Sequence, residues 1–154
     1  PLIAVVRRFA TLDECAKLSD RVPWDAFGRA PAYSSGARES QKITNQRKST
    51  TIALKSESGS HEESLREQMF DAVRKLTGFS VYSEGQEPLQ AILYRDDGDE
   101  YETHCDGGCK HAGVYQKGER IATSILYCRA DQKRGGATVF PIGTFKIAPV
   151  VGDL

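Results

Sequence analysis

The chain has 154 residues, enough for one domain with a buried core. Its 21 basic and 21 acidic residues cancel, which disfavours a nucleic-acid binder with its basic excess and an anionic-membrane binder with its basic patch. No apolar run approaches the ~20 residues of a membrane span, and four cysteines (Cys15, Cys105, Cys109, Cys128) do not make a disulfide scaffold at this length. No signal-peptide pattern is visible, but Pro1 is not a natural start, so the sequence says nothing of a leader.

Leu2 to Phe9 is β-branched and reads as a strand. Thr11-Leu-Asp-Glu14 matches a capping box, in which the Thr11 hydroxyl accepts from the Glu14 amide. A packing helix over about 11–21 follows, with Leu12, Cys15, Ala16 and Leu18 facing inward and Pro23 marking its end. Across 28–50, Gly28, Pro31, Ser34, Ser35, Gly36, Ser40 and Asn45 break any period. A polar stretch of that length inside a compact domain is either disordered or a functional lid. Thr50 to Leu54 returns to strand.

Ser60-His-Glu-Glu63 is a second capping box, and Leu65, Met69, Ala72, Val73 and Leu76 form one apolar stripe on a helix ending near Gly78. His61, in the first turn of that helix, reads as a solvated residue rather than a ligand. From Leu89 the pattern switches to period 2. Short strands are expected over Leu89–Tyr94, Tyr101–Asp106, Arg120–Cys128, Ala137–Phe140 and Phe145–Val151, separated by Gly- and Asp-rich turns. Such spacing points to a sandwich or barrel. The expected class is α+β, mainly β: one domain over 1–154, mostly antiparallel sheet with helices packed on one side.

The acidic run Asp96, Asp97, Asp99, Glu100 around Gly98 fails the EF-hand test. With Gly98 sixth, the first position is Leu93, which has no ligand oxygen; a solvated turn is the better reading. Cys105, Cys109 and His111, with His104, invite a structural zinc, but no second Cys/His pair follows, only Cys128. His104-Cys105-Asp106 carries more. In extended chain, residues i and i+2 share a face, so an imidazole and a carboxylate stand together with Cys105 turned away. That is two-thirds of the 2-His-1-carboxylate triad of non-haem Fe(II). Thr123, Ile125 and Tyr127 share a face by the same parity, where a tyrosine hydroxyl can bond a carboxylate while its ring is covered.

The setting of His104-x-Asp106 is a series of motifs: Tyr94, then Gly98-x-x-Tyr101-x-x-His104-x-Asp106, Arg120-x-x-Thr123-x-x-x-Tyr127, Gly135-Gly136-x-Thr138-x-Phe140-Pro141 and Pro149-x-x-Gly152. In this order they resemble the prolyl 4-hydroxylase branch of the Fe(II)- and 2-oxoglutarate-dependent dioxygenases, strongly from Leu89 onward and more loosely over the amino half. The resemblance implies a double-stranded β-helix (jelly-roll) core. It implies that His104 and Asp106 hold iron and that Tyr94, Tyr127 and Thr138 line the 2-oxoglutarate pocket. Tyr101 and Arg120 would then meet a proline-containing peptide, and 28–50 would close over it. The implied reaction uses Fe(II), 2-oxoglutarate and O2, with ascorbate as reductant, to hydroxylate a prolyl residue in a protein or peptide. In the family a distal histidine and a basic residue follow the Pro-x-x-Gly strand. Both positions lie beyond Leu154, so the expectation is a domain cut before its last core strands, poorly active as 1–154 alone. The rival readings are a dioxygenase of another residue or a small molecule, a non-catalytic jelly-roll binding Pro-rich peptides, and a zinc-stabilised domain using Cys105, Cys109 and His111. Endoplasmic reticulum lumen and cytoplasm are both open, as is the oligomeric state.

Overall fold

A computed structural model describes residues 2–22, 48–54, 58–82, 85–95, 98–106 and 120–154. Pro23, Cys109, His111 and nearly all of the 28–50 stretch lie outside the described residues. Helix α1 (Leu12–Asp20) starts as its cap dictates: Thr11 accepts from the Glu14 amide, and Glu14 accepts from the Thr11 amide. Two of the four amide groups a helix start leaves unpaired are thereby satisfied. Helix α2 (His61–Thr77) has half of that arrangement. Ser60 accepts from the Glu63 amide, but the Glu63 carboxylate turns to the Gly59 amide, 2.6 Å away. Its far end closes on Gly78 at φ 72°, the left-handed cap that glycine adopts without Cβ penalty.

Strands β1 (Thr50–Ala53) and β2 (Gln90–Leu93) pair antiparallel, with Thr50 opposite Leu93 and Ala53 opposite Gln90. Strands β3 (Thr138–Phe140) and β4 (Phe145–Ile147) form a hairpin with Thr138 opposite Ile147, and the Phe140 and Phe145 rings stack 5.0 Å apart. A 3-10 turn (Gln132–Arg134) precedes them.

A third main-chain arrangement joins segments distant in sequence. Val6 and Leu154 exchange both backbone hydrogen bonds, 2.8 and 3.1 Å, as an antiparallel pair does. On the other side of that segment, Tyr127 donates to Asp153 and accepts from Gly152. Residues 152–154 are therefore bracketed by the opening segment and by Tyr127. Gly152 has φ 89°, and a Cβ there would collide with the Ala10 carbonyl oxygen. Asp153, 4% exposed, accepts from the Arg8 amide and pairs with Arg7 at 2.5 Å.

The apolar core joins both helices to this bracket. Leu18 of α1 packs with Leu65 and Met69 of α2, and Phe9, Leu89, Leu126, Cys128 and Leu154 close over them. The two helices are also tied by Arg21, whose guanidinium donates to both oxygens of the buried Glu62 at 2.6 Å. Burial pushes the Glu62 carboxyl up, but hydrogen bonds from its own amide and from Arg21 outweigh that and hold it below the usual range.

Several sequence expectations shift. The opening Leu2–Phe9 is tied at Val6 but is not a regular strand, and neither 101–106 nor 120–128 forms one among the described residues. Alternation makes a strand only where a neighbour completes the ladder, and here the ladder bonds are confined to isolated residues such as Tyr127. In α1, Cys15 and Leu18 are buried, whereas Leu12 is 71% exposed and Ala16 is exposed. His61 is half-buried, and its Nε2 has no hydrogen-bond partner among the described residues. Among the described residues no helix is long and apolar enough to cross a membrane.

Candidate metal and co-substrate site

The loop after Gly98, itself at φ 87°, carries the His104–Asp106 pair. The Asp99 carboxylate accepts from the Arg95 amide at 3.0 Å, which shapes the turn. Lys48 then donates its amide to the Glu100 carbonyl. At the far end of this loop His104 Nε2 stands 3.1 Å from Asp106 Oδ1, and His104 Nδ1 stands 2.6 Å from the Glu102 carbonyl oxygen.

The second contact fixes the tautomer. A carbonyl oxygen only accepts, so Nδ1 carries a proton and donates it. Nε2 then faces Asp106 Oδ1 at hydrogen-bond distance: the two pair directly when Nε2 is protonated, and when it is not they leave a nitrogen lone pair and a carboxylate oxygen side by side. Metal-ligating histidines commonly donate their other N–H to a backbone carbonyl in this way. The other Asp106 oxygen, Oδ2, accepts from the Thr123 hydroxyl at 2.6 Å, so Oδ1 is the oxygen left for a cation. One imidazole nitrogen and one carboxylate oxygen are donors that several divalent first-row metals accept.

Two sequence-named side chains border this pair. The Tyr101 ring lies flat on the His104 ring, centroids 3.5 Å apart and planes 18° apart. Arg120 forms a fork with Glu87, at 2.5 and 2.7 Å. The Glu87 hydrogen bond raises the Arg120 pKa further against the opposing effect of burial, with smaller contributions from the charges of Glu87 and Asp106. Arg120 therefore belongs to the electrostatic surroundings of the pair, held in one orientation by Glu87.

A second group lies along the chain from Thr123. The Tyr127 hydroxyl and the Thr138 hydroxyl are 2.7 Å apart. One of them donates to the other, which leaves one O–H free for a carboxylate acceptor. Tyr94 directly follows β2 and is 42% exposed; its grouping with Tyr127 and Thr138 rests on the resemblance alone.

Thr123 and Glu87 are the side chains of the site that reading the sequence did not assign. Thr123 had a signal in its parity with Tyr127. Glu87 had none, because it lies 33 residues from its partner in a segment without regular pattern. The zinc reading loses a ligand: Cys105 is disulfide-bonded, so its sulfur is not a thiolate donor. Cys15 is likewise cross-linked, to Cys128. Among the described residues no group of three His, Cys, Asp or Glu side chains is placed to hold a metal.

Among known proteins, no family model matches the chain, and no curated protein or solved structure matches it either.

Proposed function

We propose that the chain is the catalytic domain of an Fe(II)- and 2-oxoglutarate-dependent dioxygenase that hydroxylates a prolyl residue in a protein or peptide, built on a jelly-roll core. The observation that carries this is the His104–Asp106 pair: Nδ1 spent on a carbonyl, Oδ2 spent on Thr123, and Nε2 and Oδ1 left facing each other.

In this reading His104 Nε2 and Asp106 Oδ1 hold the iron, and Thr123 and the Glu102 carbonyl orient them. Bound there with 2-oxoglutarate and O2, iron supplies the oxidising chemistry that yields succinate, CO2 and a hydroxylated carbon, with ascorbate keeping it ferrous. The protein's part is placement. Tyr127, Thr138 and Tyr94 receive a 2-oxoglutarate carboxylate, with the free O–H of the Tyr127–Thr138 pair as donor. Arg120, fixed by Glu87 through Nε and Nη2, keeps Nη1 for the peptide, and Tyr101, fixed on His104, presents a ring edge to it. The cross-link at Cys15–Cys128 favours an oxidising compartment such as the endoplasmic reticulum lumen over the cytoplasm.

The test is succinate release by the full-length protein, given Fe(II), ascorbate, 2-oxoglutarate and a proline-rich peptide, beside His104→Ala. Peptide-stimulated succinate that the substitution abolishes is the expected result. A folded wild-type protein that binds the peptide and releases no succinate would overturn the dioxygenase and leave a peptide-binding module.

A further inference from the structure

The Cys15–Cys128 cross-link joins α1 to the residue directly after Tyr127, closing 113 residues of sequence. Cys15 Sγ also lies 3.8 Å from the Tyr127 carbonyl oxygen. Tyr127 is otherwise held through its amide and carbonyl, by Asp153 and Gly152, and through its hydroxyl, by Thr138. The bracketing segment has its own anchor, Asp153 on Arg7 and Arg8. Leu126 and Cys128 on either side of Tyr127 pack against Leu18, Leu65 and Met69, and the covalent tie of this segment to the helical side is the disulfide one residue away.

The two sulfurs differ in access. Cys15 is 1% exposed. Cys128 lines an open cleft of about 530 Å³ with Leu12, Ala16, Ser19, Val22 and Arg129. Of the two cysteines, Cys128 is the half-buried one that borders this cleft, so it is the side from which a thiol reagent approaches the bond. The exposed Leu12 and Ala16 wall this cleft instead of filling the core.

We propose that the Cys15–Cys128 disulfide is a positioning element for Tyr127, and that its redox state sets how tightly the site takes the carboxylate of its co-substrate. This rests on the assignment of Tyr127 to the 2-oxoglutarate pocket. The reducing agent is a dithiol. One of its thiolates attacks the Cys128 sulfur and displaces the Cys15 thiolate, which is then protonated. The second thiolate releases Cys128, the reagent closes to its own disulfide, and two electrons and two protons end on the cysteines.

The experiment compares oxidised full-length wild type with the pair Cys15→Ser, Cys128→Ser, both in non-reducing buffer so that the Cys105 bond stays intact. Two quantities are read: amide exchange across 120–130, and KM for 2-oxoglutarate against kcat. In the paired variant, exchange at the Tyr127 amide, which donates to Asp153, is expected to rise at least tenfold while α2 is unchanged. KM for 2-oxoglutarate is expected to rise about 5- to 10-fold, the size of an ordinary coupling between sites, with kcat within twofold. Dithiol treatment of a Cys105→Ser protein, in which Cys15–Cys128 is the bond under test, gives the same local exchange. Unchanged exchange at Tyr127 overturns the inference. So does exchange that rises alike everywhere, which would make the bond a general staple, or a kcat loss without a KM change. If oxidised wild type binds no 2-oxoglutarate, the functional reading fails, and the exchange pattern alone then decides whether the bond positions Tyr127.

Discussion

Thr123 decides which oxygen of Asp106 faces His104. Its hydroxyl occupies Oδ2, and once that bond is gone the contact with His104 is what still orients the carboxylate. Thr123→Val keeps the branched shape and deletes only the donor. Both partners of the bond are exposed, so the loss to stability is small, because water replaces what the hydroxyl supplied. The loss to metal binding is not small, since partners that orient a ligand are worth roughly 10- to 100-fold in affinity. Thr123→Val is expected to weaken Mn(II) binding, used as a stand-in for Fe(II), about 10-fold in a titration of the free-ion resonance, with an unchanged melting temperature. Equal affinity in the two proteins would show that Asp106 needs no orientation from Thr123. Tyr101 acts beside it in another way. A ring stacked face to face on an imidazole restricts its rotation without taking either nitrogen, so both can be spent as the site requires.

At the scale of elements, local signals were legible and distant ones were not. The bounds of α1 and α2 follow from Thr11, Ser60 and Gly78, each of which acts on amides or carbonyls within four residues. β2, β3 and β4 lie within the stretches where alternation placed them. The expectation failed at 101–106 and 120–128, where alternation was present but the partner was not specified by anything nearby. In α1 the buried arc centres between Cys15 and Leu18, and Leu12 sits roughly 90° from that centre at 100° per residue, so its hydrophobicity misled. The Cys15–Cys128 pairing was beyond reach too, because four cysteines allow three connectivities and spacing does not choose among them. For the candidate site, His104 and Asp106 do stand side by side as their spacing of two suggested, although 101–106 is not a strand. Glu87 was not legible, because its role is set by the fold. Two glycines separate conformational cost from collision. Gly78 has φ 72° with open space around it, so Gly78→Ala costs roughly 1–2 kcal/mol for the left-handed backbone. Gly152 adds to a φ of 89° a Cβ driven into the Ala10 carbonyl, backbone that cannot swing aside. Gly152→Ala is therefore expected to lose more stability than Gly78→Ala in urea denaturation, and it should also loosen Tyr127, whose carbonyl the Gly152 amide holds. Equal losses would mean that the bracket yields to the methyl group.

Across the whole molecule, two buried carboxylates hold the parts together, and both make the same demand on pH. Glu62 ties α2 to the end of α1, and Asp153 ties the last residues to the first. For Glu62, burial alone would raise the carboxyl, but its own amide and Arg21 reverse the sign; for Asp153 the Arg8 amide leads, opposed by burial and aided by Arg7. Both are held below their ordinary values in the folded state. The unfolded chain therefore takes up these protons first as pH falls, and stability rises with pH wherever the unfolded state binds more protons. The contribution is complete above the ordinary carboxylate range of about pH 4 and drains away as pH drops through the lower, folded values. Urea midpoints should accordingly be flat from neutral pH down to the ordinary carboxylate range and then fall steeply. Asp153→Asn keeps an acceptor for the Arg8 amide but removes the charge, so it should lower the neutral-pH plateau and flatten the acid limb. An acid limb as steep in Asp153→Asn as in wild type would show that Asp153 is not among the groups whose protonation opens the fold.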